Sequence, residues 1–362
     1  MTIAVHIVAT GARTPLGLDG ASSAAAYRAK ISAVSEHPFM IDRAGNPMQC
    51  AFDSQLDSRL MGTPRFLALA ETALLETCIA LNEMSSRRRL RFPIYVGLPE
   101  HRPGFTAEDM EVVRRGLANI SGLPIDISEL IIFSNGHAAA LAALAKAVND
   151  IQQGKLELCL VGGIDSYCHP DTMEWLDENR QLAGAISRSG FVPGEGAGFC
   201  LLMNERIREE LGFASLARVG AFAISRESKR IKTTDVCLGN GLTAVVQSIV
   251  NNLTLPSEKI NAVICDINGE RYRGEEWGFV CLRLSQYFDD PTAYWSPADC
   301  WGDAGAASGP LFAMLACQAA KRGYIKRPRA LLWASSEEGL RSAVLLEFDS
   351  MDKHTKKEGN YV

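Results

Sequence analysis

Apolar positions along this chain fall into two alternating patterns. Short continuous runs are bounded by glycine, proline or polar residues, and longer stretches carry apolar residues every three to four positions. The first pattern predicts buried strands and the second predicts helices packed on them. Strands are expected over 3–10, 93–97, 129–133, 158–165 and 199–204, and helices over 22–30, 64–82, 106–117 and 137–153. In the second helix Phe66, Leu69, Ala70, Ala73, Leu74, Cys78 and Leu81 share a face, and Thr106 is placed to cap the third. Residues 34–62 follow neither period and are expected to be irregular. Beyond 205 a similar order returns, with strands at 215–224 and 260–267, helices at 242–250, 275–284 and 308–322, and a strand pair at 330–333 and 342–348. The alternation predicts the α/β class. The approximate repeat predicts two related halves, 1–205 and 206–350, meeting at one site, with a polar tail over 351–362.

The most informative stretch runs from Ile131 to Gly154. An apolar strand turns at Ser134-Asn135-Gly136 and enters a helix whose first turns are nearly all alanine, so the helix can lie close to neighbouring backbone. Its unpaired amides and the positive end of its dipole then face whatever stands beside His137. A strand, a tight turn and a buried helix with a side chain of this kind at the start form the arrangement used to activate a nucleophile.

Composition narrows the classes of function. Forty-seven per cent of the 362 residues are apolar, and 37 basic against 42 acidic residues leave a net charge of −5, so nucleic acid and anionic lipid are not expected partners. The ten cysteines are scattered, several inside apolar runs, with no zinc-type spacing, and read as reduced, buried small hydrophobes of a cytoplasmic protein. No signal peptide is expected, and no run approaches the ~18 apolar residues of a membrane span. Arg87 to Arg91 is the basic run of the chain, expected as a solvated turn or, less so, a docking patch for a carrier protein.

The succession of strand, turn, alanine-rich helix, Gly154, second strand, Gly162-Gly163 and Gly190-Phe-Val-Pro-Gly-Glu-Gly-Ala-Gly198 resembles the β-ketoacyl-acyl-carrier-protein synthases of the thiolase-like superfamily. The last segment is close to that family's GFVxGEGAG, and Gly11 to Gly17 is similar to its opening turn. The resemblance spans about residues 3–348 and implies a thiolase-like fold with layers α-β-α-β-α. Read by itself, the GEGAG run places an acid in its middle and leads into a strand, so it is expected as a turn and close-packing device and not a phosphate cradle.

At the chemical positions the chain departs from the family. Its catalytic cysteine falls on His137. The histidine of its HGT turn falls on Asn268 and the threonine on Glu270. The histidine of its KSxxGHxxGAAG stretch falls on Asp303 and the lysine on Ala298, while its GFGGTN loop corresponds to Ser335 to Arg341. A helix dipole would lower the pKa of His137, and an ionised Asp303 would repel the enolate that condensation must stabilise. Only a protonated Asp303 could serve as donor. His137 and Asp303 are expected as an imidazole/carboxylate pair with Asn268 nearby, able to orient a base for hydrolysis or acyl transfer. Against this stands a vestigial pocket whose polar residues satisfy one another, and that reading is preferred.

The resemblance thus implies a protein related to 3-oxoacyl synthases that does not condense and that acts as an acyl-chain or carrier-protein binding partner or scaffold, like a chain-length factor. An acyltransferase or thioester hydrolase using His137 and Asp303, or an active synthase, are the alternatives. A homodimer or a heterodimer with a related synthase is expected through the strand at 129–133, with neither cofactor nor metal.

Overall fold

The computed structural model describes residues 3–82, 89–184, 187–230, 233, 235–325 and 328–349. The polar tail, and Arg87 and Arg88 of the basic run, lie outside the described residues. The strands are β1 (Val5–Arg13), β2 (Ser35–Ile41), β3 (Pro47–Cys50), β4 (Leu90–Leu98), β5 (Ile125–Ser134), β6 (Leu158–Ser166), β7 (Glu195–Asn204), β8 (Ala217–Arg226), β9 (Ala262–Cys265), β10 (Tyr294–Trp295), β11 (Arg329–Ser335) and β12 (Leu340–Glu347). The helices that matter here are α1 (Gly20–Arg28), α2 (Thr63–Cys78), α3 (Ala107–Ala118), α4 (Ala139–Gln152), α5 (Pro170–Glu178), α6 (Asn240–Val250), α7 (Arg271–Leu284) and α8 (Ser308–Lys321).

All strands except β2 and β3 join one sheet, in the order β10-β9-β11-β12-β8-β1-β7-β6-β4-β5. The two halves of that order are the same topology run outward from the centre. In the first, β1 pairs antiparallel with β7, β7 antiparallel with β6, and β6 and β5 flank β4 in parallel. In the second, β8, β12, β11, β9 and β10 repeat these relations strand for strand. The halves touch along the sheet through the short β1/β8 pairing of His6 with Arg218 and Ile7 with Ala217.

Helices α4 and α8 run between the halves and pack on strands of both, α2 and α3 cover the outer face of the first half, and α6 and α7 that of the second. This is the α-β-α-β-α layering of the thiolase-like fold. The small residues at the start of α4 and α8 are what let central helices approach backbone so closely. A Cβ on Gly97 would lie 2.5 Å from the Ala140 nitrogen, and one on Gly163 would lie 2.3 Å from the Ala306 oxygen.

Several local expectations change. Within 34–62, β2 and β3 form a two-stranded ribbon, missed because β2 lacks alternation and leaves residues of both faces exposed, and β3, which buries Met48 and Cys50 on one face, is only four residues long. The GEGAG segment is the close-packing device expected, with a Cβ on Gly194 falling 2.5 Å from the Trp301 oxygen, but no turn: Glu195 to Gly198 already belong to β7. Glu195 is fully buried and receives Arg65 in a two-pronged ion pair, Nε to Oε2 at 2.6 Å and Nη2 to Oε1 at 2.7 Å, so its charge is matched inside the core. His169 caps α5, its ring accepting the Asp171 amide. Of the basic run, Arg89 pairs with Asp126 at 2.8 Å and donates to the Leu123 and Ile125 carbonyls, which ties it to the start of β5. Among the described residues no helix is long and apolar enough to cross a membrane, and all ten cysteines are free thiols.

Candidate functional site

The site forms where the ends of the two central helices meet. β5 ends at Ser134, a 3-10 turn over Gly136–Ala138 carries His137, and α4 follows. Gly136 has φ +65°, so the turn uses a backbone conformation that a side chain would resist. In the second half, Asp303 stands just before the equivalent 3-10 turn, Gly305–Ala307, which enters α8. Gly305 has φ +48°, and a Cβ there would lie 1.9 Å from Asp165 Oδ2, which instead accepts the Ala306 amide at 2.8 Å. Each half therefore delivers one polar side chain from the mouth of a buried helix.

These two side chains meet. His137 Nε2 lies 2.8 Å and 2.9 Å from the two carboxylate oxygens of Asp303, with His137 only 7% and Asp303 2% exposed. Asp303 also accepts the Gly305 amide at 2.7 Å and the side-chain amide of Asn268. Asn268 folds into a local turn, accepting the Glu270 amide at 3.0 Å and donating to the Glu270 carboxylate at 3.2 Å. Ala298 lies in the short helical turn before Asp303 and brings no cation to the place of the family's lysine.

Burial and the Arg273 guanidinium oppose a charge on His137, but the Asp303 carboxylate outweighs them by charge and hydrogen bond and raises its pKa above the ordinary value. This reverses the lowering expected from the helix dipole, because a paired carboxylate at 2.8 Å acts more strongly than partial charges on amides. Burial likewise opposes the charge on Asp303, yet His137, Arg273 and Asn268 together hold its carboxyl well below the usual range. Asp303 is ionised and cannot donate to a developing enolate.

Sequence reasoning missed the layer behind this pair. Arg273, fully buried on the first turn of α7, binds Asp266 at 2.5 Å, Glu270 at 3.1 Å and the Ser335 carbonyl at 2.7 Å. Its Nη2 approaches His137 Nε2 at 3.2 Å. Since the proton on Nε2 points to Asp303, this approach brings two donors together, tolerated because carboxylates flank both. Ser336, in the loop that corresponds to the family's glycine-rich gate, accepts the Ala138 amide at 2.9 Å and donates to the Asn135 carbonyl. That bond consumes an amide at the elbow which could otherwise face a substrate oxyanion. The signal was present as Asp266, Asn268, Glu270 and Arg273 crowded directly behind the apolar strand β9, a density of charge that has to be internally paired if buried.

A cavity of about 260 Å³ opens on His137. Tyr167, Trp175 and Phe191 wall it, and Glu100, Glu337 and Glu338 stand at it. The cation Arg102 is neutralised by Asp165 at 2.5 Å. Burial and the neighbouring glutamates push the Glu100 carboxyl up. On the far side of Asp303 the space amounts to only about 10 Å³, between Cys265, Trp301 and Phe312. Burial raises the Cys265 and Cys300 thiols above their ordinary pKa, which disfavours a thiolate at either position. No ligand set for a metal is formed by His137, Asp303 and Asn268, whose polar atoms bind one another.

Comparison with known proteins agrees with this architecture. The family described as β-ketoacyl synthase, N-terminal domain, matches residues 132–206, the segment from the elbow through β7. No curated protein matches the chain. Among solved structures, a chain of a type II polyketide synthase complex, in which an acyl-carrier protein is bound to its ketosynthase with the hexaketide, is similar with a TM-score of 0.75 at 16% identity, over 97% of this chain and 100% of that one. The ketosynthase from module 6 of the bacillaene synthase of Bacillus subtilis gives 0.74 at 16% identity, over 95% of this chain and 72% of that one. The ishigamide ketosynthase/chain length factor gives 0.70 at 18%, over 95% and 99%. The chain therefore has the thiolase-like fold seen in the ketosynthases and matches, over residues 132–206, the model of the β-ketoacyl synthase N-terminal domain, with an imidazole where the resemblance expects a thiol.

Proposed function

We propose that this chain is a non-condensing ketosynthase-like protein that binds an acyl-carrier protein or its acyl group, as a partner or scaffold in the manner of a chain-length factor. The observation that carries this reading is the contact of His137 Nε2 with both oxygens of an ionised Asp303. Condensation needs a thiolate to hold the acyl chain and donors to stabilise the enolate. The elbow offers a carboxylate-bound imidazole and a fixed negative charge instead. The glutamates at the cavity add to that charge and disfavour a malonyl carboxylate. Support for carrier-protein or synthase partners comes from the similar structures, one a complex with an acyl-carrier protein and another a ketosynthase/chain length factor.

A second reading, thioester hydrolysis or acyl transfer, is favoured by one specific feature. His137 lines an open cavity while Asp303 holds its far nitrogen, so the neutral ring would present Nδ1 as a base oriented by a carboxylate. One experiment separates the two. The protein is incubated with acyl- and malonyl-carrier protein, and bound carrier, elongated chain and released acid are measured. Carrier binding with neither product is expected. Acid release abolished by Asp303→Asn would favour hydrolysis, and an elongated β-ketoacyl product from the unaltered protein would overturn the proposal.

A further inference from the structure

A second cavity, of about 350 Å³, lies between α1, the C-terminal half of α8 and β10, and shares no residue with the one at His137. Ala319, on its wall, is eleven residues along α8 from Ser308, about 16 Å from the helix end that faces the site. Its walls carry three aromatic rings, Tyr27, Trp295 and Tyr324, and three cations, Arg28, Lys30 and Arg322, with no carboxylate in the lining. Asp299, whose carboxyl feels the Lys30 charge, stands outside it. Arg28 lies 4.5 Å over the Tyr324 ring and Lys30 4.8 Å over the Tyr27 ring, so both cations are directed along aromatic faces.

The two helices that frame the cavity end in the same way, and the comparison isolates one residue. In α8 the Tyr324 amide bonds the Ala319 carbonyl and the Gly323 amide bonds the Ala320 carbonyl, with Gly323 at φ +73°. In α1 the Ile31 amide bonds the Ala26 carbonyl and the Lys30 amide bonds the Tyr27 carbonyl, with Lys30 at φ +56°. Both are Schellman closures, whose left-handed position glycine fills at least cost. α8 uses glycine there. α1 uses a lysine, and the strained backbone sets its ammonium at the cavity. α5 closes in the same way with Arg180 at φ +56°, so Lys30 is set apart by its place in the cavity wall and not by its backbone alone. The closures occupy the Ala26, Tyr27, Ala319 and Ala320 carbonyls, which are therefore not free acceptors facing an anion.

We infer that this cavity is a binding site for a nucleoside phosphate. Tyr27 is buried under Lys30, so the exposed Tyr324 and the half-buried Trp295 supply the ring surface for a base, the three cations match a group bearing two or three negative charges, and the volume is in the lower range of sites for compact ligands. The site is independent of the reading of His137.

Calorimetric titration of the full chain with ADP, adenosine and pyrophosphate, in 0.1 M salt, tests this. ADP binds with a micromolar dissociation constant, and adenosine and pyrophosphate each bind at least about tenfold more weakly. Arg28→Ala with Arg322→Ala together weakens ADP about a hundredfold, as two charge-assisted contacts of about tenfold each. Lys30→Gly weakens ADP about tenfold while raising the melting temperature by about 2 °C, because glycine relieves the left-handed strain. A purely structural lysine would show the opposite, a lower melting temperature with affinity intact, and that result overturns the inference. So does ADP affinity no better than millimolar, pyrophosphate binding as tightly as ADP, or affinity unchanged in the double variant.

Discussion

His137 and Asp303 show how a buried pair changes the chemistry of both partners. The raised pKa of His137 means that its contribution to stability is complete below its unfolded value of about 6.5 and is lost as pH rises through the raised value. The lowered pKa of Asp303 means that its contribution is complete above about 3.9 and is lost as pH falls through the lowered value. The pair is therefore worth most between about pH 4 and 6.5. Asp303→Asn, which leaves a buried imidazole without its counter-charge, is expected to cost about 3–5 kcal/mol there. Denaturant midpoints at pH 5.5 and 9.5 check this: the gap between native protein and variant should narrow at the higher pH, and an equal gap at both would refute the charged pair.

At the scale of elements, the site depends on how closely two 3-10 turns and two helix ends approach. Gly305 is the tightest point, with its left-handed φ and Asp165 Oδ2 where a Cβ would stand. Gly305→Ala is expected to destabilise by about 3 kcal/mol or more, summing overpacking and backbone strain. Thermal unfolding measures it. A variant within about 0.5 kcal/mol of the native protein would mean that the turn relaxes without cost. β5 raises a different question. It closes one end of the ten-stranded sheet, and Leu130 to Ser134 along it are only half-buried.

An uncovered ten-residue edge strand is an invitation to pair with another chain, and for the molecule as a whole this predicts a dimer formed edge to edge through β5. Sedimentation at micromolar concentration should find the dimer, or a heterodimer once a ketosynthase partner is added. A stable monomer under both conditions would count against it. The repeat of five strands on each side of the β1/β8 contact places the elbow of one half against the turn of the other, so the site belongs to neither half alone.

What the sequence determined by itself was the periodic part of the molecule. Alanines spaced to bury α4, apolar runs for the strands and the recurrence of their order were all local patterns, and each reported its own burial. That His137, Asn268 and Asp303 stand together was also expected from the sequence, and the structure brings the three into contact. Only the tertiary structure decided their chemistry. Which nitrogen of His137 meets Asp303, and that its pKa is raised, depended on contacts 166 residues apart. Arg273 joined the site from the first turn of α7 and Ser336 from just past the end of β11, with no period to announce either. The β2/β3 ribbon and the strand start at Glu195 were likewise settled by partners, a neighbouring strand and the buried Arg65, which no local pattern contains.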